Sequence, residues 1–232
     1  MIADTPPLDA LIQLNYATVV GSLVSSLIHD LNNGLLVIGG SVELMEDGPL
    51  GEESRPRLER IRRQHDTMAT RLRELSSVVK PEGRGVRADL RAVATEAAAL
   101  RETALRRRGM TVRVDSDGST AVVPVAPDRL LQIVLNLLLN AEAAVRDVAK
   151  PEIALAVARR DGHVQLLVRD SGPGFDAGVR DRLFEPFVTS APAERAGLGL
   201  YVSRAMAGQV GGTLSIAEGS DGTNVTLGLP AA

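Results

Sequence analysis

Apolar residues recur near the start of the chain at intervals that alternate between three and four. This repeat is typical of a helix that packs against another helix along one apolar seam. It predicts a single long helix from about Leu8 to Met45, which the turn-forming residues 47–51 would end. The seam positions are Leu14, Ala17, Gly21, Val24, Ile28, Leu31, Leu35, Ile38, Val42 and Met45.

A second stripe with the same spacing follows the turn and predicts a second helix that ends before Lys80. Two such helices joined by a short polar turn form an antiparallel hairpin. One hairpin buries both stripes poorly, so we expect two copies to pair as a homodimeric four-helix bundle. The stripe positions are Leu58, Ile61, His65, Met68, Leu72, Leu75 and Val79.

The pattern changes after the linker-like residues 80–85, and short apolar runs then alternate with helical stretches. This mixture predicts an α+β domain over 85–232, with strands on one side and helices on the other, after a helical domain over 1–80. Strands are predicted at 86–90, 110–114, 121–125, 152–158, 164–169, 213–217 and 224–229, and helices after residue 90 and at 128–148 and 198–209.

Composition narrows the class of protein. Hydrophobic residues make up 44% of the 232 and charged residues 24%, which is ordinary for a globular protein, whereas aromatics at 2% require an aliphatic core. A net charge of −3 gives no reason to expect a nucleic-acid partner. The lack of cysteine excludes thiol catalysis, and we expect a cytoplasmic protein with no membrane-spanning helix and no secretory signal.

His29 falls one position past a seam residue, so the pattern places it beside the apolar stripe and facing water. Asp30 follows it, and Asn33 stands one helical turn later on the same side. Histidine is a common nucleophile and proton carrier near neutral pH, so this group is a candidate reactive site. A solvated histidine–acid pair is the alternative that this stretch alone leaves open. His65 instead lies on the second seam, where a core position is expected.

Gln132, Asn136 and Asn140 are spaced four apart on an otherwise apolar helix and therefore line one face. Their amides suit either an internal hydrogen-bond network or a polar guest, such as magnesium with phosphate oxygens around it. Further along, an apolar strand delivers Asp170 into a loop that contains Gly172 and Gly174. Glycines let a ligand approach the backbone closely, and the acid can accept a hydrogen bond from an exocyclic amine.

A phenylalanine-containing segment at 184–187 and the helix start Gly197-Leu198-Gly199 complete this series, and backbone N–H groups at a helix start bind phosphate. With five such motifs in order, the chain resembles the catalytic core of sensor histidine kinases. That family joins a dimerising phospho-acceptor hairpin to a GHKL-type (Bergerat) α/β-sandwich ATP-binding domain. The matching segments are 29–33 (phospho-acceptor), 136–141 (asparagine box), 170–174 (first glycine box), 184–187 (phenylalanine box) and 197–200 (second glycine box).

The resemblance implies an ATP- and Mg²⁺-dependent kinase that phosphorylates His29 and passes the phosphoryl group to an aspartate of a response-regulator receiver. Asp30 would hold the reactive tautomer of His29, Asn33 would serve the reverse, phosphatase-like reaction, and Asn140 would lie at the metal. A separate sensor or input protein is implied as a partner. The implied nucleotide-binding residues are Asn136, Asn140, Asp170, Gly172, Gly174, Arg195, Gly197, Leu198 and Gly199.

Three departures from the family pattern are visible. Gly34 replaces a common proline, residues 194–196 occupy the region where the second glycine box usually has one more glycine, and a lysine common after the phenylalanine box is absent from residues 188–191. Two roles are open for Arg195: it supplies the missing cation to the phosphates, or it obstructs the nucleotide site. Two alternatives remain: a histidine phosphotransferase relay with a weakened nucleotide site, and an anti-sigma-like module that uses the same fold only for binding.

Overall fold

The structure is a computed structural model that describes residues 6–46, 54–79, 85–175, 177–189, 196–219 and 222–232. The described residues form two compact units, which divide after Val19 and again within residues 80–84. One unit is helical. The other contains the sheet and also the first turns of the chain's long N-terminal helix, residues that the sequence had assigned to the helical hairpin.

The helical unit confirms both predicted helices, α1 (Leu8–Glu46) and α2 (Ser54–Val79). Gly34 lies against α2, because a Cβ built on it would come within 2.6 Å of the Met68 sulfur. Gly34 therefore permits close packing of the two helices one turn from His29. Arg57 donates a hydrogen bond to the carbonyl oxygen of Leu44 near the ends of the helices.

The predicted α1 seam is only partly buried in the single chain. Leu14, Ile28 and Leu35 are 48%, 54% and 55% exposed. The residues that the single chain buries are spaced four apart, and residues four apart lie on one face of a helix. The residues on this face are Leu11, Asn15, Val19, Leu23 and Leu27. The helix carries apolar residues on more than one side, and the single chain buries a different side from the seam that we expect two hairpins to bury together.

The prediction of a near-core His65 is wrong for the single chain, because its side chain is 74% exposed and bonds to the neighbouring Asp66 at 3.2 Å. The face of α2 that contacts α1 carries Gln64 and Met68 instead. His65 shares a heptad position with Leu58 and Leu72, and those two leucines are also exposed.

The second unit is built on a five-stranded sheet with the strand order β2-β4-β5-β7-β6. Strands β2 and β4 are parallel, and every other pair in this sheet is antiparallel. A short antiparallel pair, β1 with β3, lies apart from it. The strands are β1 (Ala88–Asp89), β2 (Thr111–Ser116), β3 (Val122–Val123), β4 (Glu152–Arg160), β5 (His163–Asp170), β6 (Thr213–Gly219) and β7 (Gly222–Pro230).

One face of the sheet is apolar because buried and half-buried residues alternate along β4, β5 and β7. Val168, for example, pairs with Leu155 on one side and with Val225 on the other. Three helices pack against the sheet, as the sequence predicts for an α+β domain. The helices of this unit are α3 (Leu90–Arg107), α4 (Pro127–Ala144), α5 (Ala177–Arg180) and α6 (Gly199–Gly208).

Local sequence signals set several of these boundaries. The Asp89 carboxylate caps α3 by accepting the backbone N–H groups of Arg91 and Ala92 at 2.9 and 3.2 Å. Pro127 occupies the first turn of α4. Asp161 and Gly162 both have positive φ, as the tight β4–β5 hairpin requires. Helix α4 ends at Ala144, four residues before the predicted end, and the short helix α5 was not predicted.

A buried ion pair joins α3 to α4. Arg101 donates from Nε and Nη2 to the two carboxylate oxygens of Glu142 at 2.9 and 2.8 Å. Both side chains are less than a tenth exposed. Two parallel charge-assisted bonds of this kind fix the distance and the rotation between the helices. Helix α4 thereby presents a defined face to the rest of the unit.

Helix α1 is long and apolar enough to cross a membrane by length and composition. An 18-residue window within Leu8–Met45 has a mean hydropathy of 1.5, and 38% of that window is buried in the structure. The expectation that no helix could span a membrane is therefore not supported. That expectation considered only uninterrupted apolar runs, whereas α1 has small polar residues among its apolar ones.

Candidate functional site: a nucleotide-sized cavity and an exposed histidine

A cavity of about 690 Å³ opens between α4, the end of β5 and the start of α6. This volume is within the range of small-molecule and cofactor sites. The cavity collects most of the residues that the sequence singled out, although they are far apart along the chain. Asn140, Asp170, Gly172, Gly174, Gly197 and Gly199 all line it.

Asp170 ends strand β5 at the wall of the cavity and is only 4% exposed. Its carboxylate accepts the backbone N–H of Gly172 at 2.9 Å. Burial raises the pKa of Asp170, while hydrogen bonds from the backbone N–H groups of Gly172 and Thr223 act in the opposite direction. A buried carboxylate at a cavity wall is an acceptor for a ligand N–H, such as the exocyclic amine of adenine.

Thr223 also lines the cavity, and sequence reasoning missed it. Its side chain is 1% exposed, and its hydroxyl oxygen has no hydrogen-bond partner. A buried hydroxyl without a partner carries a desolvation cost that a polar ligand would remove. The sequence gives little indication of this role, because Gly222-Thr223 resembles the start of an ordinary strand. Thr223 is brought next to Asp170 only by the register in which β5 pairs with β7.

The second glycine segment forms the opposite side of the cavity. Gly197 has a φ of +66°, and a Cβ on it would lie 2.6 Å from the backbone of Phe187. Leu198 is buried at the N-cap of α6, and Gly199 begins the helix. The first N–H groups of a helix have no partner within that helix, and Gly197 and Gly199 at this helix start line the cavity.

The phenylalanine segment lies beside this helix start. Arg204 of α6 stacks its guanidinium over the Phe184 ring at 4.7 Å. Phe187 is 52% exposed and has a φ of +65°, a backbone conformation that is costly for a non-glycine residue and that concentrates at functional sites. Arg195, which the sequence proposed as a phosphate-binding cation, lies outside the described residues.

The amide row of α4 is divided between two environments. Asn140 lines the cavity, whereas Gln132 and Asn136 do not and are 5% and 3% exposed. Asn136 donates to Ser203 at 3.2 Å, and both buried amides bond to Asn15 of α1. The two interpretations that the sequence left open therefore both apply: Gln132 and Asn136 form an internal network, and Asn140 faces a potential guest.

His29 is exposed on α1, as its position beside the seam predicts, and Asp30 next to it is half-buried. The amide nitrogen of Asn33 lies 2.9 Å from Nδ1 of His29. In this orientation the Asn33 N–H donates to Nδ1 of the tautomer that has its proton on Nε2, whereas the turned-over amide would accept from an Nδ1–H. Asn33 is therefore in position to determine which nitrogen of His29 has a free lone pair.

Two family models match the chain. Residues 20–84 match the His Kinase A (phospho-acceptor) domain, and residues 125–232 match the histidine kinase-, DNA gyrase B- and HSP90-like ATPase. Together they span the helical hairpin and most of the sheet-containing unit.

Known relatives extend the similarity across both segments. The chain is 32% identical to the C4-dicarboxylate transport sensor protein DctB of Pseudomonas aeruginosa, over 92% of this chain and 36% of that protein. It is 30% identical to the sensor histidine kinase ZraS of Escherichia coli, over 91% of this chain and 45% of that protein. The chain thus spans less than half the length of either relative.

The fold is also found in solved structures. The crystal structure of histidine kinase ThkA in complex with response regulator protein TrrA matches with a TM-score of 0.54 and 19% identity. The match covers 92% of this chain and 62% of that one. With the two family models, these similarities show that the chain belongs to the histidine kinases and carries a phospho-acceptor region followed by an ATPase-type domain.

Proposed function

We propose that this chain is the catalytic core of a two-component histidine kinase, which transfers the γ-phosphoryl group of ATP to His29 and then to an aspartate of a response regulator. The observation that carries the proposal is the cavity itself. It unites a buried carboxylate, a buried hydroxyl without a partner, an amide and a glycine-lined helix start. These groups are complementary to adenine at one end and to phosphate at the other.

Each end of the cavity has a defined role in nucleotide binding. Asp170 would accept the exocyclic amine of adenine, with the Thr223 hydroxyl as a second polar contact beside it. Backbone N–H groups at Gly199 would bind phosphate oxygens. Asn140 would supply a carboxamide oxygen to magnesium, which prefers oxygen ligands. When bound, the ion would neutralise charge on the phosphates.

In the transfer step the lone pair of His29 Nε2 attacks the γ-phosphorus in line, and the bond from that phosphorus to the ADP oxygen breaks. This requires the ring proton on Nδ1, and that Nδ1–H would donate a hydrogen bond to the Asn33 carboxamide oxygen once the amide has turned over. The phosphorylated ring carries a positive charge until Nδ1 releases its proton, and Asp30 is the adjacent carboxylate that can take it. Positioning supplies most of the rate enhancement.

We further propose that the chain acts as a homodimer. Apolar side chains at one heptad position are exposed on both helices of the hairpin in the single chain. They are Ile28, Leu35 and Val42 on α1, and Leu58 and Leu72 on α2. Rows of exposed apolar residues seven apart are typical of a helix-bundle interface. Pairing of two hairpins would bury both rows.

The partner and the location are also proposals. The known relatives are sensor proteins, and the kinase ThkA was solved with a response regulator. We infer that this chain likewise receives an input from a separate sensor or segment and phosphorylates a receiver domain. The catalytic units described here would act in the cytoplasm, where ATP and receivers are found.

Incubation with γ-labelled ATP and magnesium tests the function. A histidine kinase gains acid-labile label that is lost in His29→Ala and kept in the control His65→Ala. A phosphotransferase relay gains no label from ATP but accepts it from a phosphorylated receiver. An anti-sigma-like module labels neither histidine. A normal dephosphorylation rate of the receiver with Asn33→Ala would remove the phosphatase role of Asn33.

A further inference from the structure

The first turns of α1 cover a polar patch on the unit that contains the cavity. Leu11, Ile12 and Val19 of this segment are buried, and they flank Asn15, which is 4% exposed. Asn15 lies opposite Gln132 and Asn136 of α4. We name residues 8–19 the covering segment.

The amides pair in a closed network. Asn15 donates from Nδ2 to Oδ1 of Asn136 at 3.0 Å, and Asn136 donates from Nδ2 to Oδ1 of Asn15 at 2.9 Å. Gln132 donates to Oδ1 of Asn15 at 2.8 Å and to the carbonyl oxygen of Ile12 at 3.2 Å. Removal of one amide would leave the others buried without partners.

The network fixes the side chain of Asn136, which lies next to the cavity. A Cβ on Gly199 would lie 3.5 Å from Oδ1 of Asn136, so the Asn136 carboxamide sits directly behind the helix start that would bind phosphate. In this structure both polar atoms of that carboxamide are bonded to Asn15 and Ser203. Asn136 is not among the residues that line the cavity.

The chemistry of the contact favours a separable segment over a permanent core element. A leucine at position 15 would stabilise a permanent contact most. A buried amide lowers the stability of the contact but specifies how the two helices align. When the segment leaves, Asn15, Gln132 and Asn136 can all be hydrated. Tyr16 lies one residue further along the covering segment, and burial together with the charge of the Asp128 carboxylate on α4 raises the pKa of its phenol.

We infer that the covering segment is an autoinhibitory element, which docks on α4 through Asn15 and withdraws the Asn136 carboxamide from the bound nucleotide. This inference rests on the proposed function of the cavity. Undocking frees Asn136 to turn toward the nucleotide phosphates or their magnesium. The kinase is therefore more active when the covering segment is released.

Two variants on opposite sides of the contact test the inference, and neither residue lines the cavity. Asn15→Ala removes the shared amide. Gln132→Glu replaces an N–H donor with a carboxylate that faces the oxygens of Ile12 and Asn15. Gln13→Ala is the matched control, because Gln13 is an exposed amide on the same helix.

The full chain is compared in three measurements: hydrogen exchange of the 8–19 amides, affinity for a fluorescent ADP analogue with magnesium, and the rate of His29 labelling. Both variants should exchange faster, bind the analogue at least about fivefold more tightly, as expected from loss of one buried amide contact, and label faster. Gln13→Ala should match the wild type.

Two results would overturn the inference. Faster exchange with equal or weaker analogue binding in both variants would show that the contact only supports the fold or positions Asn136 for binding. Unchanged exchange in both variants would show that Asn15 does not hold the segment. If neither the wild type nor any variant binds the analogue, the proposed function is wrong and the inferred inhibition is wrong too. The exchange data would still show whether Asn15 holds the covering segment on α4.

Discussion

At the scale of single residues, the proposed reactivity of His29 would depend on which ring nitrogen carries the proton, and Asn33 contacts one of the two. The two neutral tautomers of imidazole are close in free energy, so one hydrogen bond decides between them. The Asn33 amide is suited to this choice because it can donate or accept at Nδ1 according to its rotation. Such a group allows both the resting and the nucleophilic tautomer.

Asn33→Asp should fix the nucleophilic tautomer. A carboxylate can only accept, so it requires a proton on Nδ1 and leaves the Nε2 lone pair free. Nitrogen-15 NMR of the His29 ring should show a larger Nδ1–H fraction in Asn33→Asp than in the wild type. Asn32→Asp is the control, since it adds the same charge to the neighbouring exposed position. Equal tautomer ratios in the two variants would contradict the assignment.

Nucleotide affinity should depend on pH through Asp170. In the proposed site the ionised Asp170 carboxylate would accept the adenine amine, so binding should be strongest above the pKa of Asp170 and should weaken as the pH falls through it. Because burial raises that pKa above the ordinary value of 3.8, the loss should begin at a higher pH than for an exposed aspartate.

Asp170→Asn is the control for this titration. The asparagine keeps an acceptor oxygen but does not titrate, so affinity for magnesium ADP should be lower and should lose the pH dependence that belongs to Asp170. The ratio of the two affinities at each pH, measured by calorimetry, removes the titration of the nucleotide itself. A constant ratio over the acid range would exclude Asp170 as the pH-dependent acceptor.

The sequence could predict the residues of the cavity that stand in glycine-containing or amide-rich surroundings, but not those that act through tertiary pairing. Asp170 and Gly197 are recognisable because their local pattern is unusual for a strand or helix. Asn15 and Thr223 are single polar residues in ordinary contexts. Their importance arises only when α1 meets α4 and when β7 pairs with β5.

At the scale of elements, the buried Arg101–Glu142 pair is the polar contact that holds α3 to α4. Glu142→Ala would leave Arg101 buried without its anion, and one Arg101 nitrogen already has no partner. Removing one member of a buried pair typically costs about 3–5 kcal/mol. The free energy of unfolding, measured by urea titration, should fall by that amount.

The exposed pair between Arg106 and Glu102 on α3 provides the comparison. Glu102→Ala should change stability by no more than about 1 kcal/mol, because exposed pairs are screened by solvent. Losses of similar size in the two variants would mean that the Glu142 pair contributes no more than a surface contact.

Element positions were largely predictable because periodicity is a local property. The 3–4 repeat located both long helices, and short apolar runs bounded by turn signals located β4, β5 and β7. Periodicity could not select which side of α1 the chain itself buries, because two apolar stripes run along that helix. It also missed α5, whose four residues are too few to show a repeat.

At the scale of the molecule, the exposed apolar row of the hairpin should be the dimer interface. Leu35→Glu should weaken dimerisation by about 3 kcal/mol or more, since each of two copies loses the burial of one leucine. Leu36→Glu is the matched control, because Leu36 is 74% exposed and lies outside the row. Sedimentation equilibrium measures both, and equal dissociation constants would exclude this row as the interface.

Helix α1 contributes residues to both compact units, and this affects how the protein can be divided for experiments. A fragment begun at residue 85 would retain every strand of the sheet but would lack Leu11 and Asn15. Its α4 would then expose Gln132 and Asn136, so the fragment would differ from the full chain in solubility and in nucleotide affinity. A fragment boundary drawn at the linker therefore also removes the covering segment, residues 8–19, which packs on α4.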